Sequence, residues 1–260
     1  MKDATMNDTE ITIHTDFEQG TPAWHEARAG HVTASNIHKL LTPKLAVADN
    51  ATSRGLIHRL AFERLTGHPV DTGATTYAMR RGTALEPYAR EHYKNHYNPN
   101  VREVGYVERR GFTVLGQSYT LGYSPDGLVD DDAIIEIKCP GPEKFLAWHE
   151  AAAEHDVKPV EDATDPFAGY VPPEHMLQVQ AGIYATGRSR GIFMAYTPGL
   201  APLITEVPLY SRYVKAFEAA AIAAENRIFG TVAAFKQKTR GAPFDEWFDP
   251  MAEEEGVIHV

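Results

Sequence analysis

Three residues whose types and spacing could do chemistry, Asp126, Glu136 and Lys138, lie in one short stretch, YSPDGLVDDDAIIEIKCP at residues 123–140. The pattern predicts two short strands joined by an acidic turn at Asp130, Asp131 and Asp132. Alternation along the second arm puts Glu136 and Lys138 on one face and Ile135 and Ile137 on the other. Asp126 stands between a proline and a glycine, where the first arm bends, so its side chain can turn back toward Glu136. Two carboxylates and an ammonium gathered there are costly unless a hard cation joins them. Asp-x(9)-Glu-x-Lys is the spacing of a magnesium-dependent phosphodiesterase core. The competing reading, a solvated hairpin with ordinary surface charges, accounts less well for the flanking Ser-Pro-Asp-Gly and Cys-Pro.

The elements around this stretch follow from caps, breakers and periodicity. Residues 1–20 read as a mobile arm with a short β-like piece at Ile11-Thr12-Ile13. A helix begins at Thr21-Pro22, carries Trp24 and Arg28, and stops at Gly30. A short helix spans 36–41 with Ser35 as its expected N-cap, and a helix start with free N–H groups near an arginine suits phosphate. Residues 42–53 read as a loop, then 54–66 as an amphipathic helix. A second long helix lies within 75–97, with Pro87 expected in a first turn and Leu85, Tyr88, Ala89, His92 and Tyr93 as its apolar stripe. His92 and His96 are four apart, but no third ligand accompanies them, which favours a surface or packing role.

Strands are expected at 101–109, 112–115 and 119–123 as an antiparallel meander into the hairpin, then a helix at 143–155. Residues 156–173, with four prolines, read as a surface insert, followed by a helix at 174–186 whose Gln178 and Gln180 point to different sides. Strands at 191–196 and 203–209 and a helix at 210–229 complete a single domain over 21–240, and 241–260 is an acidic tail. The class is α/β: a central mixed sheet flanked by helices.

Composition narrows the functions. The single cysteine, Cys139, rules out an internal disulfide and any four-cysteine metal or iron–sulfur site. An N-terminus without an apolar core and the lack of a membrane-length apolar run predict a cytoplasmic protein. A net charge of −10 argues against bulk attraction to nucleic acid. Positive charge is nevertheless dense at Arg80-Arg81, Arg109-Arg110, Arg188-Ser189-Arg190 and Lys236-Gln237-Lys238, enough to line a channel.

Six fragments then fall in a familiar order: Trp24-His25-x-x-Arg28-x-Gly30, Val32-Thr33-Ala34-Ser35, Gly82-x-x-x-Glu86, Ser124-Pro125-Asp126-Gly127-Leu128, Glu136-Ile137-Lys138-Cys139-Pro140 and Gln178-Val179-Gln180. In these the chain resembles the phage lambda exonuclease family, the phage-type alkaline exonucleases of viral recombination, which carry the PD-(D/E)xK core and a restriction-endonuclease-like fold. The resemblance implies Asp126, Glu136 and the backbone carbonyl of Ile137 as metal ligands. Glu86 would aid a second magnesium, and Lys138 would position or activate water. Arg28, Ser35, Ser124 and Gln178 would form a 5′-phosphate pocket, with Trp24 near the DNA path. It further implies a magnesium-dependent 5′→3′ exonuclease on double-stranded DNA ends, in which manganese can substitute. Its 3′ single strands would pass to a single-strand annealing protein, and the enzyme would be a ring-shaped homotrimer in the host cytoplasm. A PD-(D/E)xK endonuclease and a non-catalytic DNA-end-binding protein are the rivals; the full acid–acid–lysine set disfavours the second.

Overall fold

The computed structural model describes residues 9–70, 76–112, 118–157 and 169–248. The expected fold class holds, and the sheet divides in two. Four strands run in the order β1-β4-β5-β2, from β1 (Glu10–His14), β4 (Tyr106–Phe112), β5 (Ser118–Tyr123) and β2 (Val32–Thr33). Five run in the order β3-β6-β7-β8-β9, from β3 (Val101–Arg102), β6 (Gly127–Val129), β7 (Ala133–Lys138), β8 (Arg190–Ala195) and β9 (Leu203–Pro208).

The division corrects the expected meander. β5 and β6 belong to different sheets, and Ser124-Pro125-Asp126 is the break between them. Pro125 has no N–H to continue a ladder, so the chain leaves one sheet and enters the other there. The expected strand over 101–109 likewise splits at Gly105, where a Cβ would stand 2.3 Å from the Phe17 carbonyl oxygen. Residues 113–117, part of another expected strand, lie outside the described residues. The acidic turn forms as predicted, and Arg188 clamps it by donating to the carbonyls of Val129, Asp130 and Ala133.

The helices are α1 (Pro22–Arg28), α2 (Ala51–Thr66), α3 (Tyr77–His96), α4 (Pro142–Val157), α5 (Pro173–Thr186) and α6 (Ser211–Lys238); α3 and α5 pack on β7 of the five-stranded sheet, and α6 packs on β5 of the other. Alternation in β7 decides which side each residue serves. Ile134 joins the large core with Phe193, Ile183 and Phe217, while Ile135 and Ile137 join a smaller one with Ala89 and Tyr93 of α3. Glu136 alternates with Ile135 and Ile137 and is 1% exposed, a buried acid in an apolar layer.

Several local expectations change. The β-like piece expected at 11–13 is a strand over 10–14 at the sheet edge, antiparallel to β4, so this part of the arm is ordered into the fold. α2 starts three residues earlier than expected, because Asn50 and Ser53 form a reciprocal capping box. Ser35 caps no helix: Asn36 precedes a 3-10 turn (Ile37–Leu40) and its Oδ1 accepts the Thr33 N–H, leaving the Ser35 hydroxyl for other work. Pro87 lies inside α3, not in its first turn, and Thr83, whose carbonyl loses a partner, is exposed to water. Tyr88 is 68% exposed and leaves the apolar stripe.

α6 continues through Gly230 to Lys238, beyond the expected 229. At the end of the expected surface insert the backbone is held to β9, Gly169 donating to the Glu206 carbonyl, with Val171 buried beside it. Residues 158–168 of that insert and 249–260 of the tail lie outside the described residues. Among the described residues no helix is long and apolar enough to cross a membrane.

Candidate functional site

Where the sheets part, the three residues of the opening motif meet. Lys138 Nζ donates to Glu136 Oε1 at 2.5 Å, as two positions on one strand face must allow. Asp126, at the sheet break, turns back as expected and accepts the Ile137 N–H on Oδ2 at 2.5 Å. Ile137 thus reaches Asp126 through its N–H. Tyr123 donates its hydroxyl to Glu136 Oε2 at 2.8 Å, and Gln178 of α5 donates its amide to Oε1 at 2.5 Å. Gly182, one turn along α5, lets the Tyr123 ring lie against that helix; a Cβ there would stand 2.7 Å from Tyr123 Cζ.

The electrostatics are those of charge packed out of water. Burial, and then the charge of Glu136, hold the Asp126 carboxyl well above the usual carboxylate range. Burial alone would draw the Lys138 ammonium down, but Glu136, Asp126 and Glu86 together hold it above the ordinary lysine value. Burial also pushes the Cys139 thiol up to about 11.

Glu86 comes to the edge of the group but is turned to Arg90, which donates to Glu86 Oε1 at 2.9 Å, to the Asp126 carbonyl at 2.7 Å and to Glu103 at 2.6 Å. Among the described residues no group of three or more His, Cys, Asp or Glu side chains is arranged to hold a metal ion. Asp126 and Glu136 are nevertheless a close acidic pair whose repulsion a cation would relieve. Oxygen donors few in number suit magnesium, which keeps several waters. The donor set fits that ion. His92 and His96 stack with rings 4.5 Å apart and pack on Tyr97 and Tyr196.

Beside the acids lies a cavity of about 160 Å³ lined by Gln19, Trp24, Arg28, Thr33, Ser35, Ser124 and Gln178 among others. It collects every residue the resemblance assigned to a phosphate pocket. Arg28 donates to Ser124 Oγ at 2.6 Å and, at 3.5 Å, to Ser35 Oγ. Trp24 Nε1 donates to the same Ser124 Oγ at 2.8 Å, and its ring lies 4.2 Å from the guanidinium carbon. Burial, chiefly, draws the Arg28 guanidinium below its ordinary value.

Residues that sequence reasoning missed complete the frame. Gln19, from the presumed arm, donates to the Pro125 carbonyl at 2.8 Å and holds the sheet break. Thr33 Oγ1 meets Ser35 Oγ at 3.0 Å. Arg81 donates to the carbonyls of Cys139 and Pro140, fixing the chain just past Lys138. Most of the arginine clusters read as channel lining are likewise structural. Arg109 donates to the Tyr184 carbonyl, Arg188 clamps the acidic turn, and Arg190 pairs with Asp132 and Glu206.

Comparison with known proteins bears on the family and the fold. The described fold is similar to an alkaline exonuclease, LHK-Exo, from Laribacter hongkongensis, at 28% identity and TM-score 0.65, covering 84% of this chain and 98% of that one. The same enzyme solved in complex with dAMP matches at 27% identity and TM-score 0.64, with the same coverage. A phage related exonuclease from Haemophilus somnus 129PT, 12% identical with a TM-score of 0.53, shares the fold over 79% of this chain and 96% of that one. No curated protein matches the sequence. The model of the YqaJ-like viral recombinase domain matches residues 23–189, a span containing the acidic pair, the lysine and the arginine pocket, and the chain belongs to that family.

Proposed function

We propose that this protein is a magnesium-dependent exonuclease that holds the 5′-phosphorylated end of duplex DNA and hydrolyses it 5′→3′. One observation carries the reading: an acidic pair with a lysine, Asp126, Glu136 and Lys138, adjoins a cavity in which Arg28 meets hydroxyls and, among the described residues, no carboxylate. The first group suits phosphodiester hydrolysis, and the second suits a terminal phosphate. Similarity to an alkaline exonuclease, and the dAMP complex of that relative, support both halves.

Bound magnesium would supply Lewis-acid stabilisation of the phosphoryl oxygens and a more acidic water. Asp126 and Glu136 would hold it, with Glu86 joining if it leaves Arg90. Lys138 keeps its proton at neutral and alkaline pH, so its role is to orient the attacking water and offset developing charge rather than to act as base. Arg28, Ser35 and Ser124 would grip the terminal phosphate, and Trp24 keeps its ring against the guanidinium. The products would be mononucleotides and 3′ single strands, the substrate of an annealing protein.

Linear and circular plasmid, digested with and without Mg2+, test this directly. Linear DNA should be degraded only with the metal, and the intact circle should survive; nicking of the circle would indicate an endonuclease. Lys138→Ala and Asp126→Ala should each lose about a hundredfold or more in rate, and undiminished activity in either would sink the assignment.

A further inference from the structure

Oε1 of Glu136, the oxygen on the side of Lys138 and Gln178, is saturated, while Oε2 faces the buried Tyr123. Oε2 takes the Tyr123 hydroxyl, and Oε1 takes both Lys138 and Gln178. An oxygen that already accepts two donors has no lone pair left for a cation. Gln178 differs from the other two donors, because its side chain also lines the cavity with Arg28, Ser35 and Ser124. Tyr123 is buried on Glu136 and cannot leave, and Lys138 is held by the carboxylates around it. Gln178 is the donor with somewhere else to go.

We propose that Gln178 is a gate between the two halves of the site. This rests on the nuclease reading above and adds a regulation to it. A phosphate in the cavity offers the Gln178 amide a charged acceptor, drawing it off Glu136 and freeing Oε1 for the cation. The terminal phosphate then licenses metal loading as well as anchoring the end, and the preference for phosphorylated ends appears in kcat as well as KM. Gln178 is a positioning residue in this scheme, because it acts through Glu136. Linkage makes the coupling reciprocal: whatever factor phosphate contributes to metal affinity, the metal returns to phosphate affinity.

The test is Mn2+ binding to the full-length protein, followed by electron paramagnetic resonance, with dAMP or deoxyadenosine present. In the wild type, dAMP should tighten Mn2+ by roughly 5- to 150-fold, the usual range for coupled sites, and deoxyadenosine should not. In Gln178→Met, which keeps the volume and removes the donor, Mn2+ alone should bind more tightly than to the wild type, and most of the dAMP effect should vanish. Gln178→Ala should behave alike, and thermal melts confirm that each variant is folded. Attraction between the dAMP phosphate and the metal would persist in both variants, so a full-sized dAMP effect there overturns the gate. So does unchanged or weaker Mn2+ binding without dAMP, which would make Gln178 a support for Glu136. Wild type that digests linear DNA while these variants fail to uncouple loses only the gate. Wild type that neither binds Mn2+ nor digests DNA removes the nuclease reading with it.

Discussion

Arg28 and Arg64 both enter cavities, and only their partners differ. Arg64 sits with Arg110, His31 and Glu225 around a space of about 310 Å³, and it grips Glu225 through two bonds of 2.7 and 2.6 Å. It also donates to the Gly30 carbonyl, tying α2 and α6 to the loop after α1. Its charge is spent within the fold. Arg28 gives its hydrogen bonds to two hydroxyls and its face to an indole, with no carboxylate in ion-pair contact among the described residues. Its charge remains available, as the proposed phosphate pocket requires, although the Arg64 cavity is the larger of the two. An arginine's role is legible in what already neutralises it.

The sharpest way to break that contrast is at Arg28. Arg28→Ala should lower kcat/KM on 5′-phosphorylated duplex by on the order of a hundredfold, about 2.7 kcal/mol. Digestion from 5′-hydroxyl ends and the melting temperature should hardly move; equal loss on both ends would place Arg28 with Arg64. The complementary change, Arg64→Ala, strands Glu225 and should cost about 2 kcal/mol in urea unfolding, between exposed and buried pairs. End preference of the folded protein should survive. Replacing both charges with apolar residues, Arg64→Met and Glu225→Leu, should recover much of that loss, and failure to do so would mean Arg64 contributes more than the pair.

A subtler handle is His175, stacked on Phe193 with Trp148 at its edge and pushed down to about 4 by burial and then by the Lys138 charge. Its folded form binds protons more weakly than its unfolded form. Its stabilising contribution is complete above the ordinary value of 6.5 and drains away as pH falls from there through 4. His175→Phe should flatten the urea midpoint between those limits, and an unchanged slope would absolve the ring.

The smallest shift is expected from Asp126→Asn. Asp126 is the opposite case, an acid held high, so its ionised form subtracts stability as pH rises above the ordinary 3.8 and on through the folded value. The variant should melt slightly higher at pH 8, with the gain fading toward pH 3.8, while activity is lost. A lower melting temperature at pH 8 would show that the Ile137 contact outweighs the repulsion.

How much of this could be read beforehand depended on distance along the chain. Glu136 and Lys138 share a face because side chains alternate on a strand, and Asp126 follows from a proline bend ten residues back. A helix start at Ser35 near Arg28 already suggested phosphate, but Ser124 and Gln178 were joined to it only through family likeness, since Arg28 and Ser124 are 96 residues apart and no local rule joins them. Gln19 was missed because a polar N-terminal stretch reads as unstructured, although its amide holds the sheet break 106 residues away. Arg81 was read as channel charge and Arg90 was not singled out, because nothing in their periodicity shows that they donate to carbonyls of the motif loops. The division of the sheet escaped because alternation continues on either side of Ser124-Pro125-Asp126 and does not say to which sheet each side belongs.

Gly182 gives the acidic group a blind side. The helix that brings Gln178 to the front of Glu136 must pass directly behind Tyr123, and it can do so only where one position carries no side chain. Adding a single methyl there would shoulder the phenol off its acid and tilt the carboxylate without touching the arginine cavity. Screens that watch only the cleft would miss it: a chain altered at 182 would keep every reacting group and still fall silent.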